Sequence, residues 1–152
     1  MATPQQFCTF TVDGAFFGVD VLRVQEVLRF HEMTPVPLAP PAVSGLINLR
    51  GQIVTAVDLR RRLGLAPRAE DEQPMNVVVR AEDGAVSLLV DAIEDVLEVD
   101  EAGFEPPPAT IEPAAGEVIA GVYKLQDRLL LILDTEKAVD VSRIASTERP
   151  AN

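Results

Sequence analysis

The residues of this chain that could do chemistry are few and lie far apart. The single histidine, His31, stands beside Glu32, and the single cysteine, Cys8, lies on the apolar face of an alternating segment. Nucleophilic and acid–base sites need several positioned groups, and neither residue has a suitable partner nearby in the sequence. We therefore expect an ordinary surface or boundary histidine and a small buried thiol. No catalytic residue, cofactor or metal site is predicted.

Two aspartates suggest an enzyme at first sight. Asp58 and Asp134 each follow an apolar segment, as the paired carboxylates of a two-lobed aspartic protease do. The local sequences Asp-Leu-Arg and Asp-Thr-Glu lack the glycine turn that lets such carboxylates approach each other. Both aspartates are suitable N-caps for short helices, and the arginine run at 60–62 is expected on a solvated helix face. The sequence thus favours a protein that is not an enzyme.

Charge and hydropathy restrict the partners. The net charge is −11, and residues 76–152 hold 6 Lys/Arg against 16 Asp/Glu. Nucleic acid is not an expected partner, because a phosphate backbone favours a basic surface. No apolar run approaches the roughly 20 residues that span a bilayer, so direct membrane insertion is not expected. A single cysteine excludes an internal disulfide, and a cytoplasmic location is the expectation.

Turn and cap residues divide the chain into strands. Residues 8–12 alternate, Asp13 and Gly14 form a turn, and 16–19 is a returning strand. Asp20 is predicted to cap a short helix, because the valines after it fall at helical spacing. A proline-rich stretch at 35–41 follows, then strands at 43–49 and 53–57 around Arg50 and Gly51.

The same order of features returns after a polar linker at 66–74. Asp13 and Asp83 are 70 residues apart, and the pairs Gly45/Gly121 and Asp58/Asp134 are both 76 apart. Such constant offsets indicate two copies of one strand-rich unit. We expect a mainly β fold of two packed five-stranded barrels, in one domain at 7–142 with a short tail at 143–152. The predicted lobes are about 12–64 and 78–139, with a first strand able to cross between them. Strands 77–79 and 129–133, apolar on both faces, are expected between the lobes, beside a groove.

A family resemblance adds to this prediction. Residues 43–62, VSGLINLRGQIVTAVDLRRR, resemble the signature of the CheW-like domain. Residues 17–28 resemble the early helix of that family, and 127–139 resemble its closing strand and helix. The resemblance covers roughly 7–142 and is to the stand-alone adaptor.

The resemblance implies a fold and a role. The fold is a pair of SH3-like barrels around a common core. The role is that of a non-catalytic cytoplasmic adaptor, recruited to membrane receptor arrays through its partners. Those partners are the cytoplasmic tips of methyl-accepting chemotaxis receptors and the regulatory domain of a CheA-type histidine kinase. Two alternatives stay open: an adaptor of a related chemosensory pathway for surface motility or another output, and an enzyme or ligand-binding module using the groove between the lobes.

The resemblance also implies a receptor-binding groove between the early helix and the Asn-Leu-Arg-Gly region. Its expected residues are Val24, Glu26, Val27, Gly45, Asn48 and Arg50. Each has a simpler alternative, since the valines could face the core, Gly45 could serve turn geometry, and the two polar side chains could hold the local backbone. The family uses barrel ends to pair with the kinase, but no kinase-binding residue is predicted.

Overall fold

The computed structural model describes residues 4–69, 71–108 and 116–140, in which β-strands are the main regular structure. The strands are β1 Pro4–Val12, β2 Ala15–Asp20, β3 Val24–Leu28, β4 Val43–Leu49, β5 Gln52–Asp58, β6 Met75–Ala81, β7 Gly84–Val90, β8 Ala92–Asp100, β9 Ile119–Lys124 and β10 Leu129–Leu133. The short helices are α1 Leu59–Arg62 and α2 Thr135–Val139, with 3-10 turns at Val21–Arg23 and Glu101–Gly103. Within these ranges no helix has the length and hydropathy to cross a membrane.

The strands form two five-stranded sheets. The first has the order β8-β1-β2-β10-β9 and the second the order β3-β6-β7-β5-β4. Neighbours are antiparallel except for the pairs β2–β10 and β5–β7. Each sheet surrounds its own apolar cluster, so the predicted fold of two five-stranded barrels is confirmed.

Each barrel is built from both halves of the chain. The first contains β1 and β2 with β8, β9 and β10, and the second contains β6 and β7 with β3, β4 and β5. Each repeat therefore gives its first hairpin to one barrel and its last three strands to the other. The expected lobes at 12–64 and 78–139 do not coincide with the two sheets. The reason is the short connection after each hairpin, since β2 ends at Asp20 and β3 begins at Val24 in the other sheet.

The predicted early helix is not what the structure shows. Asp20 does cap a turn, with its Oδ1 accepting from Leu22 N–H at 2.9 Å, but this 3-10 turn ends at Arg23 and strand β3 follows. β3 pairs with β6, and a bulge interrupts the register between Val24 and Glu26. The bulge shifts the alternation, so Val24 packs on the core between the barrels and Leu28 on the interior of the second. Because of this shift, the valines of β3 have a spacing that resembles that of a helix.

Three apolar clusters hold the molecule together. One lies inside each barrel, and the third contains residues of both sheets, among them Phe10 and Val19 from the first and Val77 and Leu88 from the second. Strand β6 serves two clusters, because Val77 lies in the shared cluster and Val78 in the second barrel. β10 does the same with Leu133 and Leu130. Burial between the lobes is confirmed for these strands, except that the Leu129 residue is 41% exposed.

The short helices confirm the capping role of the two aspartates. Asp58 Oδ1 accepts from the Arg60 N–H at 3.0 Å, and Asp134 Oδ1 accepts from the Lys137 N–H at 3.2 Å. The prediction that the arginine run at 60–62 lies on a solvated helix face, in contrast, is wrong for two of the three residues. Arg61 is exposed, but the side chains of Arg60 and Arg62 are 11% and 2% accessible. α1 has one turn and packs against the barrels, so two arginines are buried with it.

A charged network lies where the chain passes from β7 to β8. Asp91 accepts from Arg60 at 2.6 Å and from Arg68 at 2.9 Å, and the Asp13 N–H donates to it at 2.7 Å. Burial alone would raise the pKa of Asp91, but these hydrogen bonds outweigh it and lower the pKa to about 2. The network binds the linker residue Arg68 to the junction of the two barrels.

Candidate partner-binding surface

Arg50 lies at the tip of the two-residue turn between β4 and β5. Arg50 and Gly51 have φ values of 51° and 90°, as a type I′ hairpin turn requires. Asn48 Oδ1 accepts from the Gly51 N–H at 2.9 Å, which holds the turn in this conformation. Asn48 therefore holds the local backbone, as the simpler alternative for this residue predicted. The turn presents the Arg50 side chain to solvent, where it is 73% exposed.

Glu26 on β3 forms an ion pair with Arg50. β3 and β4 are the two edge strands of the second sheet, so the pair joins opposite edges of one barrel. The Glu26 side chain is 20% exposed, far less than its partner. Arginine has five N–H donors in a planar fork, and a guanidinium this exposed keeps donors for a partner's carboxylates or carbonyls. Exposed pairs contribute about 0.2–1 kcal/mol, so a binding partner can compete with Glu26.

The two valines of the predicted site have different environments. Val24 is partly buried against the core between the barrels, which agrees with the core alternative for this residue. Val27 is 43% exposed and lies beside Glu26 on the same strand. Of the two, Val27 is the apolar side chain that a partner can reach.

Gly45 is buried under the loop that joins β3 to β4. Thr34 exchanges two backbone hydrogen bonds with Leu46, both 2.8 Å long. A Cβ on Gly45 would lie 2.7 Å from the Thr34 carbonyl oxygen, which is closer than Cβ atoms approach backbone. The glycine allows this close packing of loop and strand, and its contacts are internal. The structure thus brings Glu26, Asn48 and Arg50 together on the second barrel, with Gly45 beneath the β3–β4 loop. Val27 lies next to Glu26 but on the opposite face of β3, since Glu26 pairs with Val78 and Val27 with Val77.

The other residues considered from sequence have ordinary surroundings. Cys8 is buried, and burial raises the pKa of its thiol. His31 is half-buried, with its Nδ1 lying 3.2 Å from the Arg29 carbonyl oxygen. In the described part of the chain, no three His, Cys, Asp or Glu side chains are grouped as metal ligands.

The structure has two clefts at positions that the duplication relates. Their lining residues were not predicted from the sequence. The larger, about 820 Å³, is lined by the start of β5, the β6–β7 turn and α2. The smaller, about 340 Å³, is lined by the β1–β2 turn, Pro108 and the start of β10. Gly84 and Ile53 of the first cleft correspond to Gly14 and Leu129 of the second at the same offsets of 70 and 76 residues. Sequence offsets could have found these pairs.

The two clefts differ in charge. The larger is acidic, with Glu82, Asp83 and Glu136 beside Ile53, which is 61% exposed. Among the described residues that line the smaller cleft, Arg128 is the one with a charge. The Arg128 guanidinium carbon lies 3.5 Å from the centre of the Phe16 ring, and its Nη2 donates to Glu94 at 3.0 Å. In the described part of the chain, each cleft thus combines an exposed apolar side chain with charges of one sign.

Comparison with known proteins agrees with this geometry. The CheW-like domain family model matches residues 6–143. Chemotaxis protein CheW of Klebsiella aerogenes is 30% identical over 147 residues, which are 97% of this chain and 89% of that protein. Chemotaxis protein CheW of Thermotoga maritima is 32% identical over 134 residues, covering 87% of this chain and 85% of the relative. The crystal structure of the scaffolding protein TtCheW from Thermoanaerobacter tengcongensis superposes with a TM-score of 0.81 at 28% identity, covering 91% of this chain and 94% of that one.

These matches also bear on the alternatives. The matched relatives carry a chemotaxis name, and the solved relative is described as a scaffolding protein. An adaptor for surface motility or another output is therefore not favoured. The chain belongs to the CheW-like domain family and is a chemotaxis adaptor.

Proposed function

We propose that this adaptor has no catalytic activity and couples the cytoplasmic tips of methyl-accepting chemotaxis receptors to the regulatory domain of a CheA-type histidine kinase. It acts in the cytoplasm and reaches the receptor arrays through these partners. The observation that carries the proposal is the Arg50 turn, which is preorganised, exposed and paired with Glu26 across the edges of one barrel.

The receptor surface consists of Val27, Glu26, Asn48 and Arg50. A receptor tip is a helical hairpin, and such a partner binds through apolar anchors surrounded by polar groups that fix its register. Val27 supplies an apolar contact from the opposite face of the edge strand β3, and Arg50 supplies the multiply donating group. Val24 and Gly45 support this surface from below, through the core and the β3–β4 loop respectively.

The kinase surface lies at the barrel ends. The family pairs end to end with the homologous domain of the kinase, and the two clefts offer an exposed apolar residue at each end, Ile53 and Leu129. Their relation by the duplication supports two similar contacts, one at each barrel. Their opposite charges favour different partner surfaces at the two ends.

Reconstitution with the native receptor and kinase tests the proposal. We expect the Arg50→Ala variant to remain folded and to weaken receptor binding by about 1–2 kcal/mol, roughly five- to thirtyfold. Receptor control of kinase autophosphorylation should fall in parallel, while binding to the isolated regulatory domain is retained.

Arg61→Ala is the matched control, because it removes one exposed arginine of α1 away from the turn. It should behave as the unaltered protein. Unchanged coupling in folded Arg50→Ala would remove Arg50 from the site. Failure of the unaltered protein to bind either partner would contradict the proposed function itself.

A further inference from the structure

Glu136 belongs to two features of the molecule at once. It lies in the first turn of α2 and lines the larger cleft. Its carboxylate also forms an ion pair with Arg23 and accepts from the Glu82 N–H at 3.2 Å. Both side chains of the Arg23–Glu136 pair are 37% exposed. A charged group that enters the cleft therefore meets the Glu136 carboxylate, which is already paired with Arg23.

Arg23 holds the beginning of β3. It is the last residue of the 3-10 turn and directly precedes Val24. Its Nε donates to the Arg80 carbonyl oxygen at 3.0 Å, while Arg80 Nη1 donates to the Val24 carbonyl at 3.3 Å. The pair with Glu136 thus ties the entry of β3 to α2. Three residues further along β3 is Glu26, the partner of Arg50.

The other crossover between the barrels has a related ion pair with reversed polarity. There Asp91 lies on the crossover and Arg60 on the short helix, whereas Arg23 lies on the crossover and Glu136 on the helix. The Arg60 and Asp91 side chains are only 11% and 19% exposed, and Arg68 also binds Asp91. That crossover is locked inside the protein, while the Arg23–Glu136 pair is open to competition from solvent and from a partner.

We propose that the Arg23–Glu136 pair couples occupancy of the larger cleft to the position of β3. A Lys or Arg side chain of the bound kinase domain pairs with Glu136 in competition with Arg23, while an adjacent apolar side chain contacts Ile53. The entry of β3 is then released, and the surface around Glu26 and Arg50 loses part of its preorganisation. Arg23 and Glu136 are positioning residues in this device. The inference rests on the proposed function and adds to it a regulatory link between the two binding surfaces.

Linkage theory gives the quantity to measure. If the kinase domain weakens receptor binding by some factor, the receptor weakens kinase binding by the same factor. An ion pair this exposed can supply about a two- to fivefold effect, and added salt screens it. We expect the affinity of a receptor-tip fragment for the full chain to fall by that factor when the CheA-type regulatory domain is saturating, and the factor to approach one in high salt.

The Glu136→Gln variant tests the assignment. It should bind both partners, with the coupling factor reduced to about one, and adding Arg23→Gln to it should cause no further change in that factor. Asp83→Asn is the matched control, since it removes one carboxylate from the same cleft but leaves the pair intact. This control should change kinase affinity alone and keep the coupling factor.

The outcomes separate the two proposals. A coupling factor of one in the unaltered protein, or one that persists in Glu136→Gln, would overturn this inference while both partners still bind. Absence of binding to either partner would instead remove the proposed function, and this inference with it. A factor lost equally in Asp83→Asn would show a general charge effect and would also count against the pair.

Discussion

At the scale of single residues, burial changes the role of charged side chains that look like ordinary surface residues in the sequence. Asp91 lies between strands β7 and β8, and it receives hydrogen bonds from two guanidinium groups and one backbone N–H. Arg60 was expected in solvent and is 11% exposed. A local pattern cannot show that four sequence-distant segments meet at one point, and so the network was not predictable from spacing.

The depressed pKa of Asp91 makes a pH-dependent contribution to stability. Its folded-state pKa of about 2 lies below the ordinary value of 3.8, so the carboxylate stabilises the fold above the ordinary value, and this contribution is lost as the pH falls toward 2. We expect Asp91→Asn to lower the free energy of unfolding by about 2 kcal/mol at pH 7, with the difference from the unaltered protein shrinking between about pH 4 and pH 2. Urea unfolding across this range measures it.

A control distinguishes this effect from general acid denaturation. Asp83→Asn removes an exposed turn carboxylate and should leave the unfolding free energy nearly unchanged at every pH. An Asp91→Asn difference that is constant down to pH 2 would show that lost packing, and not the charge of Asp91, is responsible.

At the scale of elements, the strands, turns and caps were largely predictable and β3 was not. Alternation, Asp-Gly and Arg-Gly turns and capping aspartates are local signals, and they correctly located the hairpins at Gly14 and Gly51 and the start of both short helices. The prediction failed for β3 because a bulge shifted the alternation of its side chains. Pairing with β6 decides its structure, and that pairing spans about fifty residues of sequence.

The packing of the β3–β4 loop on β4 depends on the absence of a side chain at position 45. We expect Gly45→Ala to destabilise the fold by about 1–3 kcal/mol, because its Cβ would lie 2.7 Å from the Thr34 carbonyl oxygen. Chemical denaturation measures the loss. Gly103→Ala is the control, since its Cβ would make an ordinary 3.5 Å contact with Tyr123, and its stability should change little. Equal stabilities of the two variants would contradict the packing role of Gly45.

The candidate surface was also predictable only in part. Resemblance brought Glu26, Asn48 and Arg50 together, and the structure adds the ion pair and the turn geometry that relate them. The burial of Gly45 and the different exposures of Val24 and Val27 depend on the bulge and on the loop. Neither feature has a local sequence signal.

At the scale of the whole molecule, the duplication was visible in the sequence but its assembly was not. Constant offsets show that two copies exist, and they are silent on which copy's strands pair with which. Only the sheet order shows that each barrel takes a hairpin from one repeat and three strands from the other. Because both barrels need both halves, we expect neither half of the chain to fold alone.

Splitting the chain in the 66–74 linker tests this. Residues 1–70 and 71–152 should each lack a cooperative unfolding transition when isolated, and should regain one when mixed, as followed by circular dichroism and calorimetry. The control is the intact chain cut by a protease at a site inserted in the same linker, in which the halves should stay associated. Independent cooperative folding of either half would show that the exchanged strands are not required.

The exchange of hairpins between the barrels has a consequence for ancestry. A single repeat carries five strands but, in this arrangement, sends two of them away, so one copy alone cannot close either barrel. The smallest ancestor with the same barrels is therefore a pair of identical chains that swapped hairpins about a two-fold axis. Two such copies within one chain replace a concentration-dependent association by an intramolecular fold. They also allow the two ends to differ, and here one cleft is acidic while its counterpart has an arginine.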